Sequence, residues 1–276
     1  MKNLYKLLVV CLALVSTTNY AQKTKYGVRT GVSIPSLNSK DNNIYSKDYL
    51  SVTGFDFSVF GDFGITENFS IKAELGYVRK GGERNGMQPI PPTTIPPALG
   101  SLLPPGTAIW AEFDNKAVFN YIEIPVLAKY EWHLGSIWGI YVNAGPYIDF
   151  MINPKQVTSS ENNLPIYLDE NETPLMVPYP PDYQTLGPAF APNGFTAETD
   201  ISKDLATVDF GAMLGVGASV AISDNSEILF DIRGAYGFIP MQNDVDTYGS
   251  VHMGNVSFAL GYAYTIKSKT KKVPVD

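Results

Sequence analysis

Apolar and polar residues alternate with a period of two in eight separate stretches of this chain, at about 26–34, 53–64, 68–79, 118–132, 137–152, 206–221, 227–238 and 254–265. Successive side chains of a strand point to opposite faces, so each stretch predicts a strand with one apolar and one polar side. An amphipathic helix would repeat its apolar residues at three- and four-residue spacing, and no useful length of the chain does so. Beyond the first 21 residues no apolar run approaches the roughly 18 residues of a helical membrane span. The expected fold class is all-β.

The faces of these stretches are consistent. Phe55 and Val59 oppose Asp56, Ser58 and Asp62, and Ile71, Ala73 and Leu75 oppose Ser70, Lys72 and Glu74. Ile122, Ile124, Val126 and Trp132 oppose Glu123, Lys129 and Glu131, while Trp138, Ile140 and Val142 oppose Tyr141, Asn143, Tyr147 and Asp149. Phe210, Leu214 and Val216 oppose Asp209, Gly211, Gly215 and Gly217, and Phe230 and Ile232 oppose Asp231 and Arg233. Such alternation fits a soluble barrel or sandwich with the apolar face inward, or an outer-membrane barrel with that face toward lipid. The connections separate the two. They are long at 35–52, 80–117, 153–205 and 239–253, and short at 65–67, 133–136 and 222–226, in strict alternation. That order is what extracellular loops and periplasmic turns of an up-and-down barrel produce. The sequence therefore predicts an eight-stranded antiparallel up-and-down transmembrane β-barrel over 22–266, with the four long connections as extracellular loops.

Residues 1–6 hold two lysines and precede the apolar run 7–15, with small and polar residues up to Ala21. This order predicts a secretory signal peptide at 1–21, cut after Ala21, although Asn19 is a poor minus-three residue. The only cysteine, Cys11, leaves with it, so the mature chain has neither a disulfide framework nor a thiolate. Loss of Lys2 and Lys6 takes the net charge from −7 to −7 − 2 = −9. A chain so acidic is not built to neutralise phosphates, which excludes nucleic acid as a partner.

An eight-stranded barrel is just wide enough for its own side chains, which argues against a general diffusion pore. The polar faces put Arg29, Asp56, Asp62, Lys72, Glu74, Glu123, Lys129, Asp149, Asp209, Asp231 and Arg233 inside. Charges in that space must pair, so a structural charge network in the lumen is expected. Tyr26, Phe63, Phe69, Tyr130, Trp132, Trp138 and Tyr264 gather at the short-turn end and predict a periplasmic aromatic girdle in contact with outer-membrane lipid. Seven prolines lie in 80–117 and eight in 153–205, and the segments QPIPPTTIPP at 88–97 and VPYPP at 177–181 predict extended polyproline-type chain. Trp110, Tyr167, Tyr179, Tyr183 and Phe190 punctuate these loops and are the candidates for binding a protein or glycan partner. The basic tail at 267–276 is expected in the periplasm, as a contact for a partner there.

Catalytic signals are thin. The chain has two histidines: His133 falls in a short turn, and His252 lies near Ser250 and Ser257 at the extracellular rim. A Ser/His/acid arrangement there would make a lipid-modifying hydrolase, without a matching local signature. The glycines of GAMLGVG at 211–217 are not a phosphate loop, since no Lys-Ser/Thr follows. No metal-ligand spacing occurs and no cofactor is implied; the chain does not read as an enzyme.

Five segments also carry a resemblance: YGVRTGVSIPSL at 26–37, FGDFGITENFSIKAELGYVRKG at 60–81, NYIEIPVLAKYEW at 120–132, GIYVNAGPYIDFMI at 139–152 and DFGAMLGVGASV at 209–220. They resemble the PorT-family outer-membrane β-barrel proteins of Gram-negative bacteria, barrels of the OmpA/OmpX-like type. The resemblance implies an eight-stranded barrel in the outer membrane and, through the family's namesake, a component of a protein secretion or export assembly. Such barrels usually end at an aromatic residue, whereas TIKSKTKKVPVD runs on past Tyr264.

Overall fold

The computed structural model describes residues 23–39, 41–91, 95, 97–101, 103, 106–162, 164–179, 182–185 and 193–267. The expected signal peptide, the tail beyond Lys267 and Phe190 lie outside the described residues. The strands are β1 (Lys23–Ser39), β2 (Leu50–Ser51), β3 (Gly54–Gly64), β4 (Phe69–Arg84), β5 (Met87–Pro89), β6 (Trp110–Glu112), β7 (Asp114–Leu134), β8 (Trp138–Ser160), β9 (Met176–Tyr179), β10 (Asp182–Thr185), β11 (Phe195–Asp200), β12 (Val208–Ser223), β13 (Ser226–Gly237) and β14 (Val251–Lys267).

Eight of them form the wall. β1 pairs with β14 and β3, β3 with β4, β4 with β7, β7 with β8, β8 with β12, β12 with β13 and β13 with β14, all antiparallel. The pairing thus runs round a ring of eight in which each strand has both edges occupied, the condition for placing strand backbone in hydrocarbon. Each expected stretch lies largely within one of these strands. Along them burial alternates residue by residue: Val32, Phe57, Leu75, Val126, Leu214 and Leu260 are exposed, while Arg29, Asp56, Glu74, Asn143 and Arg233 are buried. Apolar outside and charged inside is the inverse of a soluble core and the order of a lipid-facing wall.

β7 and β8 have 21 and 23 residues, about twice what a tilted crossing needs. Their faces change meaning along the way. From the short-turn end, β7 presents Trp132, Tyr130 and Val126 outward and Lys129 inward; beyond Asn120 it presents Lys116 and Asp114 outward and Phe119 and Ala117 inward. β8 likewise goes from outward Ile140 and Val142 to outward Asn153 and Lys155. The change coincides with a register shift between Val118 and Asn120 and with a left-handed backbone at Asn153, φ 48°. A bulge re-aims side chains and tightens local twist. The wall therefore has one section with apolar residues outside, and above it β7 carries Phe119 and Ala117 inside while β7 and β8 turn charged and polar residues outward.

Among the described residues, parts of the expected long connections are strand. Strands continue to Ser39, Arg84 and Ser160 and begin again at Asp114 and Val251. β2 pairs with β4, and β11 extends the sheet along β8. The expected polyproline segments are corrected where they are described: Gln88 and Pro89 pair with β6, and Val177 and Pro178 pair with β10. Proline fits there because β5 and β9 are edge strands of their two-stranded ribbons. Gln88 holds its ribbon by donating from its buried amide to the carbonyls of Arg84 and Phe113.

Candidate functional site

The lumen is filled by three groups of ion pairs. At the centre Arg233 grips Glu74 with two hydrogen bonds of 2.8 and 3.0 Å and Asp231 with two more of 2.8 and 3.0 Å. Glu74 also receives Lys72 at 3.0 Å, Arg29 at 3.4 Å and the Ser58 hydroxyl at 3.1 Å, and Arg29 reaches Asp56 at 2.6 Å. Toward the short turns Lys129 joins Asp62 at 3.1 Å and Glu131 at 3.0 Å, while Lys25 bridges Glu131 and Glu227. Toward the loops Lys80 lies 2.7 Å from Asp149 and 3.6 Å from Glu123, two carboxylates directly opposed across β7 and β8. Charge-assisted and bidentate bonds of this kind offset the cost of removing ions from water.

Aromatic rings fill the space between the charges, and glycines on the facing strand make room for them. Lys72 sits 3.9 Å above the Phe60 ring and Lys129 4.5 Å above Tyr141. Gly27 stands opposite Phe60 and Gly217 opposite Tyr141; a Cβ at either glycine would come within 2.3 Å of the ring. Of the glycines of GAMLGVG, Gly211 and Gly217 therefore make room for the Tyr147 and Tyr141 rings and Gly215 for Asn143 and Arg233.

Ten of the eleven lumen residues named from the sequence are buried in these groups. Asp209 is half-buried at the upper edge, where it accepts the backbone N–H of Ile239 at 3.1 Å and makes no ion pair among the described residues. Lys25, Lys80, Glu131, Glu227 and the inward Phe60 are additional members. Lys80 was accessible to sequence reasoning, since Lys72, Glu74 and Lys80 keep one parity along β4. Of the aromatic set, Tyr26, Tyr130, Trp132, Trp138 and Tyr264 are exposed on the outer wall beside the short turns, and Phe63 and Phe69 are half-buried there. Tyr26 packs edge-on against Phe63 and Tyr130 against Trp132.

At the loop end the structure builds an apolar layer and a cavity. Val78, Phe119, Tyr121, Met151, Val251 and Met253 pack above the ion pairs. A second cluster of loop residues, among them Ile109, Phe113, Leu164 and Ile166, lies on the far side. Between them is a cavity of about 560 Å³ lined by both clusters and by Tyr45, Tyr49, Asn115, Gln156 and Thr158. Asn115 donates from its amide nitrogen to the Tyr49 hydroxyl at 3.1 Å, and burial pushes that phenol up from its ordinary value against the opposing Arg84 charge.

Among the described residues, one of the five candidate loop aromatics is buried. Trp110 is only 7% exposed, because β6 pairs with β5 on one side and Trp110 exchanges two backbone hydrogen bonds of 2.8 Å with Tyr167 on the other. Tyr167 is half-buried in the same bridge. Tyr179 and Tyr183 stand in β9 and β10, and Phe190 is outside the described residues.

His252 is buried, stacked on Tyr236 at 5.9 Å, with Nε2 3.3 Å from the Ser250 hydroxyl. Its Nδ1 meets the carbonyl of Gly237 at 3.1 Å, where a triad would hold a carboxylate.

A ring of paired strands, lipid-facing apolar residues and a charged interior define an outer-membrane β-barrel. The chain matches the family model described as outer membrane protein beta-barrel domain over residues 20–243 and belongs to that family. It resides in the outer membrane of a Gram-negative bacterium, in contact with its lipid. Among solved structures it is similar to a major outer membrane protein from Thermus thermophilus, at 12% identity, 88% of this chain and 99% of that one, TM-score 0.41. It is similar also to Ail, the attachment invasion locus protein of Yersinia pestis, at 10% identity, 87% and 99% coverage, TM-score 0.36. Neisserial surface protein A is a third, at 12% identity, 88% and 97% coverage, TM-score 0.36. No curated protein matches the chain.

Proposed function

We propose that the chain is a plugged barrel, of the PorT type within its family, that acts at its extracellular loop end by binding or by structural support and does not conduct solutes. The ion-pair network carries this reading: Glu74 alone joins Arg29, Lys72 and Arg233 across the lumen. The Val78, Phe119, Tyr121 and Met253 layer above it is a second barrier to water and ions. The short turns face the periplasm and the long loops the outside, the usual orientation of such barrels. Tyr26, Phe63, Phe69, Tyr130, Trp132, Trp138 and Tyr264 then form the girdle at headgroup depth. Protein or glycan partners would meet the loops, and an export assembly would be met through the basic tail at 267–276.

Purified barrel in planar lipid bilayers tests the plug. The expected trace stays at the lipid baseline at moderate voltage. Uniform, long-lived conductance steps from the unmodified protein would overturn the reading.

A further inference from the structure

The loop-end cavity is bounded on opposite sides by the two apolar clusters, with Leu37, Phe119 and Leu205 from one and Ile90, Phe113 and Leu164 from the other. Its volume of about 560 Å³ lies in the range of small-molecule sites, roughly 300–1,000 Å³. Of its described lining residues only Asp204 is charged, and it is exposed. An anionic ligand would thus find no cation among the described lining residues. Deeper in, Asn115 is 6% exposed, and its Oδ1 has no hydrogen-bond partner among the described residues. Buried polar atoms are nearly always paired, so a lone acceptor in an apolar cavity marks where a donor belongs.

We propose that this cavity binds an uncharged, largely apolar small molecule that carries a hydroxyl or N–H group and presents it to Asn115 Oδ1. The proposal rests on the reading of the loop end as the binding end. The ligand sits above the ion-pair plug and need not cross it.

Three photoreactive probes of matched shape test it on the full barrel in lipid nanodiscs: benzophenone, para-hydroxybenzophenone below the pH of its ionisation, and para-benzoylbenzoate. Mass spectrometry locates the adducts. The expected result is saturable labelling at cavity residues such as Leu37, Phe119 and Leu205. The hydroxyl probe should label about three- to tenfold more than benzophenone, the share of one hydrogen bond, and the carboxylate least. Asn115→Leu should abolish the preference for the hydroxyl probe while keeping the apolar labelling. Ala197→Trp, at an exposed lining position, should reduce labelling by both neutral probes and covers the case in which Asn115→Leu fails to fold. Adducts confined to outer-wall residues such as Val28 and Phe258, or equal labelling by the carboxylate, would overturn the proposal. Adducts at Tyr141 or Tyr147, beneath the apolar layer, would instead overturn the plug.

Discussion

At the residue scale the lumen network depends on a few saturated carboxylates. Glu74 accepts from Arg29, Arg233, Lys72 and Ser58, so truncating it leaves three buried cations short of a partner. Glu74→Ala should destabilise the barrel by about 3–5 kcal/mol, read as a lower urea midpoint in refolding titrations with the slope unchanged. A midpoint equal to the parent's would mean that the network contributes little to stability. Gly217 is the second sensitive point, because an added Cβ meets the Tyr141 ring and the Phe230 carbonyl. Gly217→Ala should cost about 1–3 kcal/mol as overpacking, whereas Gly234, whose Cβ would meet nothing within 4 Å, should accept alanine with little change in the same titration. The charged lumen residues were legible from parity alone, since period two fixes which side chains share a face. Phe60 was not: it shares the parity of Asp56, Ser58 and Asp62, and only its slot at Gly27 and the ammonium of Lys72 show why a ring belongs there.

At the scale of elements, eight alternating stretches were enough to place the barrel strands, because lipid on one side and paired charge on the other impose opposite chemistry on neighbouring residues. The strand extensions were hidden for the same reason. Beyond Asn120 the outward side of β7 becomes polar with Phe119 and Ala117 inward, and beyond Ile152 β8 turns Asn153 and Lys155 outward, so the same parity argument, carried past the bulge, gives the wrong chemistry. The two sections should respond differently to substitution. Leu214→Arg, on the outer face of β12, should lose about 2–4 kcal/mol if it lies near mid-bilayer. Lys116→Leu, on the outer face of β7 above the change, should stay within about 0.5 kcal/mol. Equal penalties for the two in lipid-refolded protein would contradict a boundary at that level.

At the scale of the whole molecule, the loop end is where sequence reasoning stops short. Proline-rich composition suggested extended chain with Trp110 as a binding candidate, yet Trp110 is buried by β5 and by Tyr167, partners 21 and 57 residues away. Pairings at that distance leave no local pattern, and the cavity exists only once both apolar clusters are assembled. The molecule thus combines a lipid-facing barrel, a network of ion pairs in its lumen and an apolar chamber at the loop end. The three tryptophans report on this arrangement directly. Trp132 and Trp138 are 43% and 55% exposed on the outer wall, and Trp110 lies in the loop section. The most direct test is fluorescence quenching by lipids brominated near the top of their acyl chains, with Trp110→Phe and Trp132→Phe/Trp138→Phe variants refolded into those bilayers. Strong quenching of Trp132 and Trp138 and none of Trp110 is the expected result. Quenching of Trp110 with Trp132 and Trp138 untouched would mean that the apolar faces do not meet lipid as described.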